Sequence, residues 1–204
     1  MPKISQAQRE HQAARILEAA AECFARNGFH ATSMDEVIAA AGVSSSTVYR
    51  YFPDGKRSLI RAVSNSRMRP LVEQLRAMAA GEVLPSPEDV FVDALAGLGL
   101  LNAGTSGNVT AAAQLAVNAW AEGSRDSEVS DLIRGHYAAI GVELVRLVRR
   151  WIDAGTLGDH LHAEEWAALI QQAAFGLVVE QVITGRADVP AAALRLGQLF
   201  ALTH

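Results

Sequence analysis

The sequence is short of several residue types, and each shortage excludes a class of protein. Its 204 residues include one cysteine, Cys23, which excludes a disulfide framework and any multi-cysteine zinc site. Aromatic residues make up 6% of the chain. Unbroken aliphatic stretches are far shorter than the roughly 20 apolar residues of a membrane-spanning helix. The first residues also lack the apolar segment of a secretory signal. We therefore expect a soluble, cytoplasmic protein with no membrane partner.

Composition and charge narrow the possibilities further. Half of the residues are hydrophobic, which supports a buried core and excludes a disordered or collagen-like chain. The net charge of −4 argues against a protein that coats nucleic acid along its whole surface. The charge is unevenly divided, however, because residues 1–69 have a net charge of +4 and residues 70–204 a net charge of −8. A polyanion would meet the first third of the chain, although solvated helix faces explain the same division equally well.

The apolar spacing is helical almost throughout, and no segment keeps the alternation of a strand. Leu17, Ala20, Ala21 and Phe24, for example, follow the i, i+3, i+4, i+7 pattern of one helix face. Segments rich in Gly and Pro separate the periodic runs. The sequence therefore predicts an all-α fold with nine helices, over residues 8–27, 33–41, 44–52, 56–80, 88–101, 109–121, 128–154, 164–185 and 191–202.

The block from Ser33 to Lys56 has the spacing of a helix-turn-helix. Two short predicted helices are joined by the turn Ala41-Gly42-Val43, where Gly supplies a positive φ. Ser33 and Glu36 have capping-box spacing, and Ser44 is the expected cap of the third helix. A small apolar core is expected to hold that helix: Ile38, Val43, Val48 and Phe52. The outward-facing residues carry groups suited to phosphates and base edges: Ser45, Ser46, Thr47, Tyr49, Arg50 and Tyr51.

Four motifs occur in a fixed order over this part of the chain. They are Phe24 to Gly28-Phe29, Thr32-Ser33-Met34-Asp35-Glu36-Val37-Ile38, Ala40-Ala41-Gly42-Val43-Ser44, and Thr47-Val48-Tyr49-Arg50-Tyr51-Phe52-Pro53 followed by Lys56. From Ile16 to about Val63 the chain resembles the tetracycline-repressor-like (TetR) family of bacterial regulators. The ordered string, near an N-terminus and ahead of a long helical remainder, makes this resemblance specific.

The resemblance implies the architecture and the roles of individual residues. It implies an N-terminal three-helix head over residues 1–55 and a C-terminal effector-binding and dimerisation body over residues 56–204, with the fourth helix shared at the junction. Positions that grip phosphates are matched by Ser33, Thr47, Tyr51 and Lys56. Positions that face base edges in the major groove are matched by Ser45, Ser46, Tyr49 and Arg50.

The sequence departs from the family pattern at two places. Pro53-Asp54-Gly55 is one residue longer than the commonest form, which puts Lys56 slightly out of register with a phosphate. Met34 stands where some members place a base-reading polar side chain, so sequence readout would rest on the third helix alone. Tyr49 has a second interpretation, as part of the core of the head. We interpret Cys23 as a small buried hydrophobic residue.

The body of the chain offers a dimer interface and an effector pocket. The eighth predicted helix is apolar nearly all round and carries small residues that permit close helix approach. By resemblance, the dimer interface comprises Ala173, Ala174, Gly176, Leu177, Leu199 and Phe200, unless they only cover their own core. The resemblance also implies an effector pocket among helices four to eight, for which the candidate lining residues are Leu71, Leu75, Phe91, Leu95, Leu115, Asn118, Trp120, His136, Tyr137 and Ile140. Most of these residues also suit plain core.

No catalytic, cofactor or metal motif stands out. Gly97-Leu98-Gly99 lacks the preceding strand and the third glycine of a dinucleotide loop, and His160 and His162 lack further metal ligands. We therefore expect no enzyme activity, no cofactor and no metal. The leading hypothesis is a ligand-responsive regulator, most simply a repressor, that binds a pseudo-palindromic operator as a homodimer and is released by a hydrophobic or amphipathic molecule. Two alternatives are a binding protein whose head no longer reads DNA, and an all-helical enzyme.

Overall fold

The computed structural model describes residues 6–99, 106–185 and 188–201, without the side chains at 106–110, 189, 197 and 199–201. Within these ranges the chain forms nine helices and no strand, which confirms the predicted fold class. Each end lies within four residues of its predicted position. The helices are α1 Gln6–Ala31, α2 Met34–Ala41, α3 Ser45–Tyr51, α4 Lys56–Ala80, α5 Pro87–Gly97, α6 Ser106–Gly123, α7 Ser127–Asp153, α8 Ala163–Thr184 and α9 Val189–Ala201.

The chain divides into two compact units. Unit 1 comprises the residues up to Ser66 together with Gln114–Leu132, and unit 2 comprises Arg67–Ala113 together with the residues from Ile133 onward. The end of α6 and the start of α7 therefore belong to the same unit as the helix-turn-helix. These segments lie far apart in the sequence, so the sequence alone did not predict that they share a unit.

Helix α1 breaks at Gly28, one residue after its predicted end. Gly28 has φ 77° and ψ 166°, a backbone conformation that is essentially restricted to glycine. One further helical turn follows, to Ala31. In that turn Phe29 packs edge-on against Phe24, with ring centroids 4.7 Å apart. The break thus folds the end of α1 back onto the core of unit 1.

The core of unit 1 supports α3, but two of the four predicted core residues are not fully buried. Val48 and Phe52 are buried, as expected, but Val37 is the buried residue of α2, at 1% exposure, whereas Ile38 and Val43 are only half-buried. Helix α2 packs mainly against α1 and less against α3. The prediction considered only the contact with α3, so it chose the neighbouring residue.

Unit 2 has its own core, in which α5 packs against α8 and α9. Trp151 is 1% exposed, and its indole N–H donates to the carbonyl oxygen of Pro85 at 2.8 Å. The buried carboxylate of Glu143 accepts hydrogen bonds from Arg76 and Arg146, both at 2.9 Å. Two arginines therefore compensate this buried charge.

Helix α8 is long and apolar enough, by length and composition, to cross a membrane. The unbroken aliphatic runs did not predict this, because Gln, Glu and Trp interrupt them. One side of the helix, which includes Trp166, Ile170 and Val178, is buried in unit 2. Its other side is exposed at Leu169, Val179 and Ile183. An apolar helix with one covered and one open side suits a protein partner as well as it suits a lipid.

Candidate nucleic-acid interface

The first helix of the helix-turn-helix begins with a capping box. The backbone N–H of Glu36 donates to the Ser33 hydroxyl oxygen at 3.2 Å, and the Ser33 backbone N–H donates to the Glu36 carboxylate at 2.7 Å. Hydrogen bonds from the Ser33 backbone and then from its side chain lower the pKa of Glu36. Ser33, expected at a phosphate, therefore also caps α2.

The turn between α2 and α3 is held from both ends. Gly42 adopts the left-handed conformation at φ 62°, and its N–H donates to the carbonyl oxygen of Ala39 at 3.2 Å. The guanidinium of Arg15 donates to the Ala41 carbonyl oxygen at 2.8 Å. Ser44 caps α3 through its hydroxyl, which accepts from the backbone N–H of Thr47. Arg15 lies in α1, so no local pattern identified it.

Helix α3 presents a polar surface to solvent. Tyr49 is 44% exposed, so its alternative interpretation as a core residue is wrong. Ser45, Ser46 and Arg50 are also exposed, and Thr47 and Tyr51 are half-buried. The guanidinium carbon of Arg50 lies 5.3 Å from the centre of the Tyr51 ring, a cation–π contact that restricts the arginine. All six outward-facing residues thus remain at least partly accessible.

The two remaining phosphate candidates are already anchored within unit 1. The Tyr51 hydroxyl donates to the side-chain oxygen of Gln12 at 3.3 Å. The Lys56 ammonium donates to the carbonyl oxygens of His30 and Thr32, both at 2.9 Å. An ammonium has three N–H donors, which leaves Lys56 one donor for a phosphate. The extra residue before Lys56 therefore does not carry it away from the head.

The C-terminal end of α1 depends on side chains from distant parts of the chain. The Asn118 amide of α6 donates to the carbonyl oxygens of Phe24 and Ala25, at 2.9 and 3.0 Å. The Thr32 hydroxyl donates to the Gly28 carbonyl oxygen at 2.7 Å. Carbonyls near a helix break lack some of their regular partners, and these side chains supply donors there. Asn118 thus secures the helix on which α2 packs.

A second connection within unit 1 joins α4 to the start of α7. Glu128 forms an ion pair with Arg61 and lies 3.8 Å from Arg57. All three side chains are about half or more exposed, so the pairs contribute little to stability. They reduce the positive charge that these two arginines present beside the head. No local sequence pattern predicts this pairing, because its partners lie in different helices.

The ten expected pocket residues are divided between the two units. Leu115, Asn118 and Trp120 belong to unit 1, and Asn118 is hydrogen-bonded to α1 as described above. Four others are buried in unit 2: Leu71, Leu75, Phe91 and Leu95. The last three are half-buried on α7: His136, Tyr137 and Ile140. The α7 group is therefore the part of the set that combines accessibility with polar side chains.

Burial changes the chemistry of the two polar residues on α7. It lowers the pKa of His136 and raises the pKa of Tyr137. Both shifts favour the neutral side chain, because burial disfavours charge. The Tyr137 ring lies against Phe175 of α8, with ring centroids 4.5 Å apart. This part of unit 2 is therefore aromatic and uncharged at these positions.

The expected dimer residues are not equally available. Gly176 is exposed and Ala173 and Ala174 are half-buried, whereas Leu177 is buried at 7% exposure within its own unit, so its side chain is committed to the core. The side chains of Leu199 and Phe200 lie outside the described residues. Exposed residues on the same side of α8 recur instead every three or four positions: Leu169, Gln172, Gly176, Val179 and Ile183.

An open cavity of about 330 Å³ lies between α5, α8 and α9 in unit 2. Its lining is mostly apolar, with Glu180 and Arg195 among the lining residues. Gly176 belongs both to this cavity and to the exposed side of α8.

Comparison with known proteins agrees with this geometry. The family model of the bacterial regulatory proteins of the tetR family matches residues 16–63. The transcriptional regulator UidR of Escherichia coli is 24% identical over 172 residues, covering 81% of this chain and 79% of UidR. The structure of Salmonella enterica GusR is 25% identical, with a TM-score of 0.76 over 99% of this chain and 98% of GusR. FadR of Bacillus subtilis, solved with stearoyl-CoA, shares the fold at 20% identity, with a TM-score of 0.71 over 92% of this chain and 96% of FadR.

These observations define the class of protein. The described residues form a capped helix-turn-helix among further helices, and the similar proteins are regulators rather than enzymes. The protein is therefore a helix-turn-helix transcriptional regulator. Residues 16–63 match the tetR family of bacterial regulatory proteins, and the chain is similar to the regulator GusR in fold.

Proposed function

We propose that this protein is a cytoplasmic, ligand-responsive repressor that binds a pseudo-palindromic operator as a homodimer. Each copy would place α3 in a major groove, and a hydrophobic or amphipathic molecule in unit 2 would release the DNA. The observation that carries the proposal is the accessible polar surface of α3, supported by capped helices. Repression is the simpler outcome, because a dimer seated on a promoter blocks polymerase by occupancy alone.

The polar surface of α3 contains both kinds of DNA-contacting group. Arg50 and Tyr49 are exposed and long enough to reach base edges, and Ser45 and Ser46 are exposed near the start of the helix. Thr47, Tyr51 and Lys56 flank them with hydroxyl and ammonium donors for phosphates. Arg50 is restricted by the Tyr51 ring, which lowers the entropy it would lose on binding.

Gel shifts with DNA flanking the gene of this protein would test the DNA-binding role. We expect Arg50→Ala to weaken binding and to relax base preference at one position, by about 1–3 kcal/mol. Lys56→Gln should weaken binding to all sequences and reduce the salt slope by about one unit, because a phosphate contact is lost. Tyr51→Phe should weaken binding in the same sequence-independent way.

Arg69→Ala is the matched control, because Arg69 is highly exposed, lies in unit 2 and pairs only locally with Glu73. It should leave operator affinity unchanged. Wild-type protein that shifts none of the flanking fragments would favour the alternative of a binding protein whose head does not read DNA.

The exposed side of α8 supports the dimer. Leu169, Gln172, Gly176, Val179 and Ile183 are spaced by three, four, three and four residues, the period of two helices packed side by side. A Cβ added at Gly176 would meet nothing within 4 Å, so a partner helix has room to approach there. Leu194 of α9 adds a further exposed apolar side chain, at 55% exposure.

Analytical ultracentrifugation would test this interface. Ile183 is 77% exposed, and Ile183→Lys should convert the dimer to a monomer, because a lysine would be buried without a counter-charge. Val83→Lys is the control: Val83 is even more exposed, at 84%, but lies between α4 and α5. A dimer that survives Ile183→Lys at wild-type affinity would place the interface elsewhere.

The half-buried aromatic region of α7 and α8 supports the effector role. An effector that binds one arrangement of the dimer more tightly than the other would shift the population away from the DNA-binding arrangement. Native mass spectrometry of the purified protein would detect a co-purified small molecule. A molecule found this way should lower operator affinity in gel shifts; one that leaves it unchanged would argue against release by that ligand.

A further inference from the structure

The hydroxyl oxygen of Tyr137 is buried and has no hydrogen-bond partner, which is true of no other side-chain nitrogen or oxygen in the described part of the chain. A buried hydroxyl without a partner destabilises the folded state, and proteins leave few of them. Phenylalanine would fill the same space without that cost. The hydroxyl is therefore placed where a bound molecule could supply its partner.

Contacts on α7 and α8 hold the Tyr137 ring in position. One face lies against Phe175, with an angle of 39° between the ring planes. At the backbone, the Gln171 side chain donates to the Tyr137 carbonyl oxygen at 3.2 Å. The same Gln171 side chain is 3.6 Å from the point where a Cβ on Gly141 would stand. The ring is thus held by both its face and its backbone, which preorganises the hydroxyl.

The charge pattern of unit 2 limits the chemistry of a ligand at this hydroxyl. Glu143 is the buried charged residue among those described, and Arg76 and Arg146 already neutralise it. A charged ligand group would find no further buried counter-charge and would be costly to bury. The Tyr137 phenol keeps its proton, because burial raises its pKa. It can therefore donate to an uncharged acceptor.

We propose that Tyr137 donates a hydrogen bond to an uncharged effector that carries an acceptor oxygen. The inference rests on the proposed function, because it specifies the effector chemistry of unit 2. Neither ionised ligands nor pure hydrocarbons satisfy the hydroxyl without further cost.

A pair of isosteric probes tests the hydrogen bond. Acetophenone and α-methylstyrene have the same planar shape, but only acetophenone has an acceptor oxygen. By titration calorimetry, wild-type protein should bind acetophenone about fivefold more tightly than α-methylstyrene, the effect of one neutral hydrogen bond. Tyr137→Phe should bring this ratio to about one. An unchanged ratio in the variant, or no measurable acetophenone binding to the wild type, would overturn the proposal.

Thermal unfolding without any ligand gives a second readout. If the hydroxyl has no partner, Tyr137→Phe should raise the melting temperature, by about 2–8 °C. An unchanged or lower melting temperature would mean that a buried water or another group already satisfies the hydroxyl, and would also overturn the proposal. Tyr49→Phe removes an exposed hydroxyl and should change neither the melting temperature nor the probe ratio.

Neither measurement contains DNA, so their outcome is independent of operator recognition. Failure of the gel shifts with normal probe selectivity would reject the proposed regulatory function but keep the ligand site. Normal operator binding with no probe selectivity would reject the ligand site alone.

Discussion

Replacing Asn118 should loosen the end of α1, and with it the helix against which the helix-turn-helix packs. The Asn118 amide makes two hydrogen bonds, of 2.9 and 3.0 Å, to the carbonyl oxygens of two buried residues, Phe24 and Ala25. Each neutral bond contributes about 0.5–1.5 kcal/mol, and a buried acceptor left unpaired adds to the loss. We therefore expect Asn118→Leu to lower the free energy of unfolding by about 2–3 kcal/mol, or the melting temperature by about 4–10 °C.

Asn118→Asp gives a sharper form of the same test. At neutral pH the introduced carboxylate would face two carbonyl oxygens, so the loss of stability should exceed that of Asn118→Leu. Repulsion raises the pKa of the carboxyl in the folded state. Lowering the pH through that folded-state pKa lets the group donate one bond, so the stability gap from wild type should narrow in acid.

Urea unfolding measures these free energies, and hydrogen exchange at Phe29 and its neighbours locates the loosened segment. Gln114→Ala is the control, because Gln114 lies one turn earlier in α6 and bonds only the Asn118 side-chain oxygen, at 3.3 Å. It should cost less than either Asn118 variant. If both Asn118 variants unfold within about 0.5 kcal/mol of wild type, the carbonyls of α1 do not depend on this side chain.

Three further predictions follow from local geometry. Gly28→Ala should lower the free energy of unfolding by about 1–3 kcal/mol, because alanine does not readily adopt the backbone conformation of Gly28. Gly135 has an ordinary helical backbone and open space around it, so the control Gly135→Ala should leave the free energy of unfolding unchanged or raise it. Equal effects of the two variants in urea unfolding would contradict this prediction. Ser33→Ala should cost about 1 kcal/mol and raise the pKa of Glu36 toward its ordinary value; an NMR titration that shows no change would refute the capping role. Burial lowers the pKa of His136, so below about pH 6.5 the unfolded chain takes up a proton before the folded chain does. The free energy of unfolding should therefore decrease as the pH is lowered below that value, and His136→Gln should weaken this pH dependence. Identical pH profiles of the variant and the wild type would contradict the prediction.

The helices and the caps of the head could be predicted from sequence because their causes are local. Ser33 and Glu36 are three residues apart, and Gly42 adopts a conformation that its missing Cβ permits, so neighbouring residues suffice to define both features. The prediction that Ile38, rather than Val37, is the buried core residue of α2 was wrong for a different reason. It depends on which neighbouring helix dominates the packing of α2, and that neighbour is α1.

The candidate site was predictable only in part. The outward face of α3 followed from helical periodicity, whereas Arg15, Gln12 and Glu128 were missed because their partners lie in other helices. The pocket set mixed residues of both units, because an apolar pattern does not distinguish a core position from a ligand-lining position. The orphaned hydroxyl of Tyr137 is visible only once its surroundings are known.

The sequence by itself determined the helices of the described residues, the turn at Gly42 and the polar face of α3, since each depends on residues within a few positions of one another. The tertiary structure alone decided that Asn118, more than 90 residues further along the chain, supports the end of α1, and that Lys56 donates two hydrogen bonds to the carbonyl oxygens of His30 and Thr32. Such contacts join residues that only folding brings together, because a hydrogen bond depends on distance in space and not on separation along the chain.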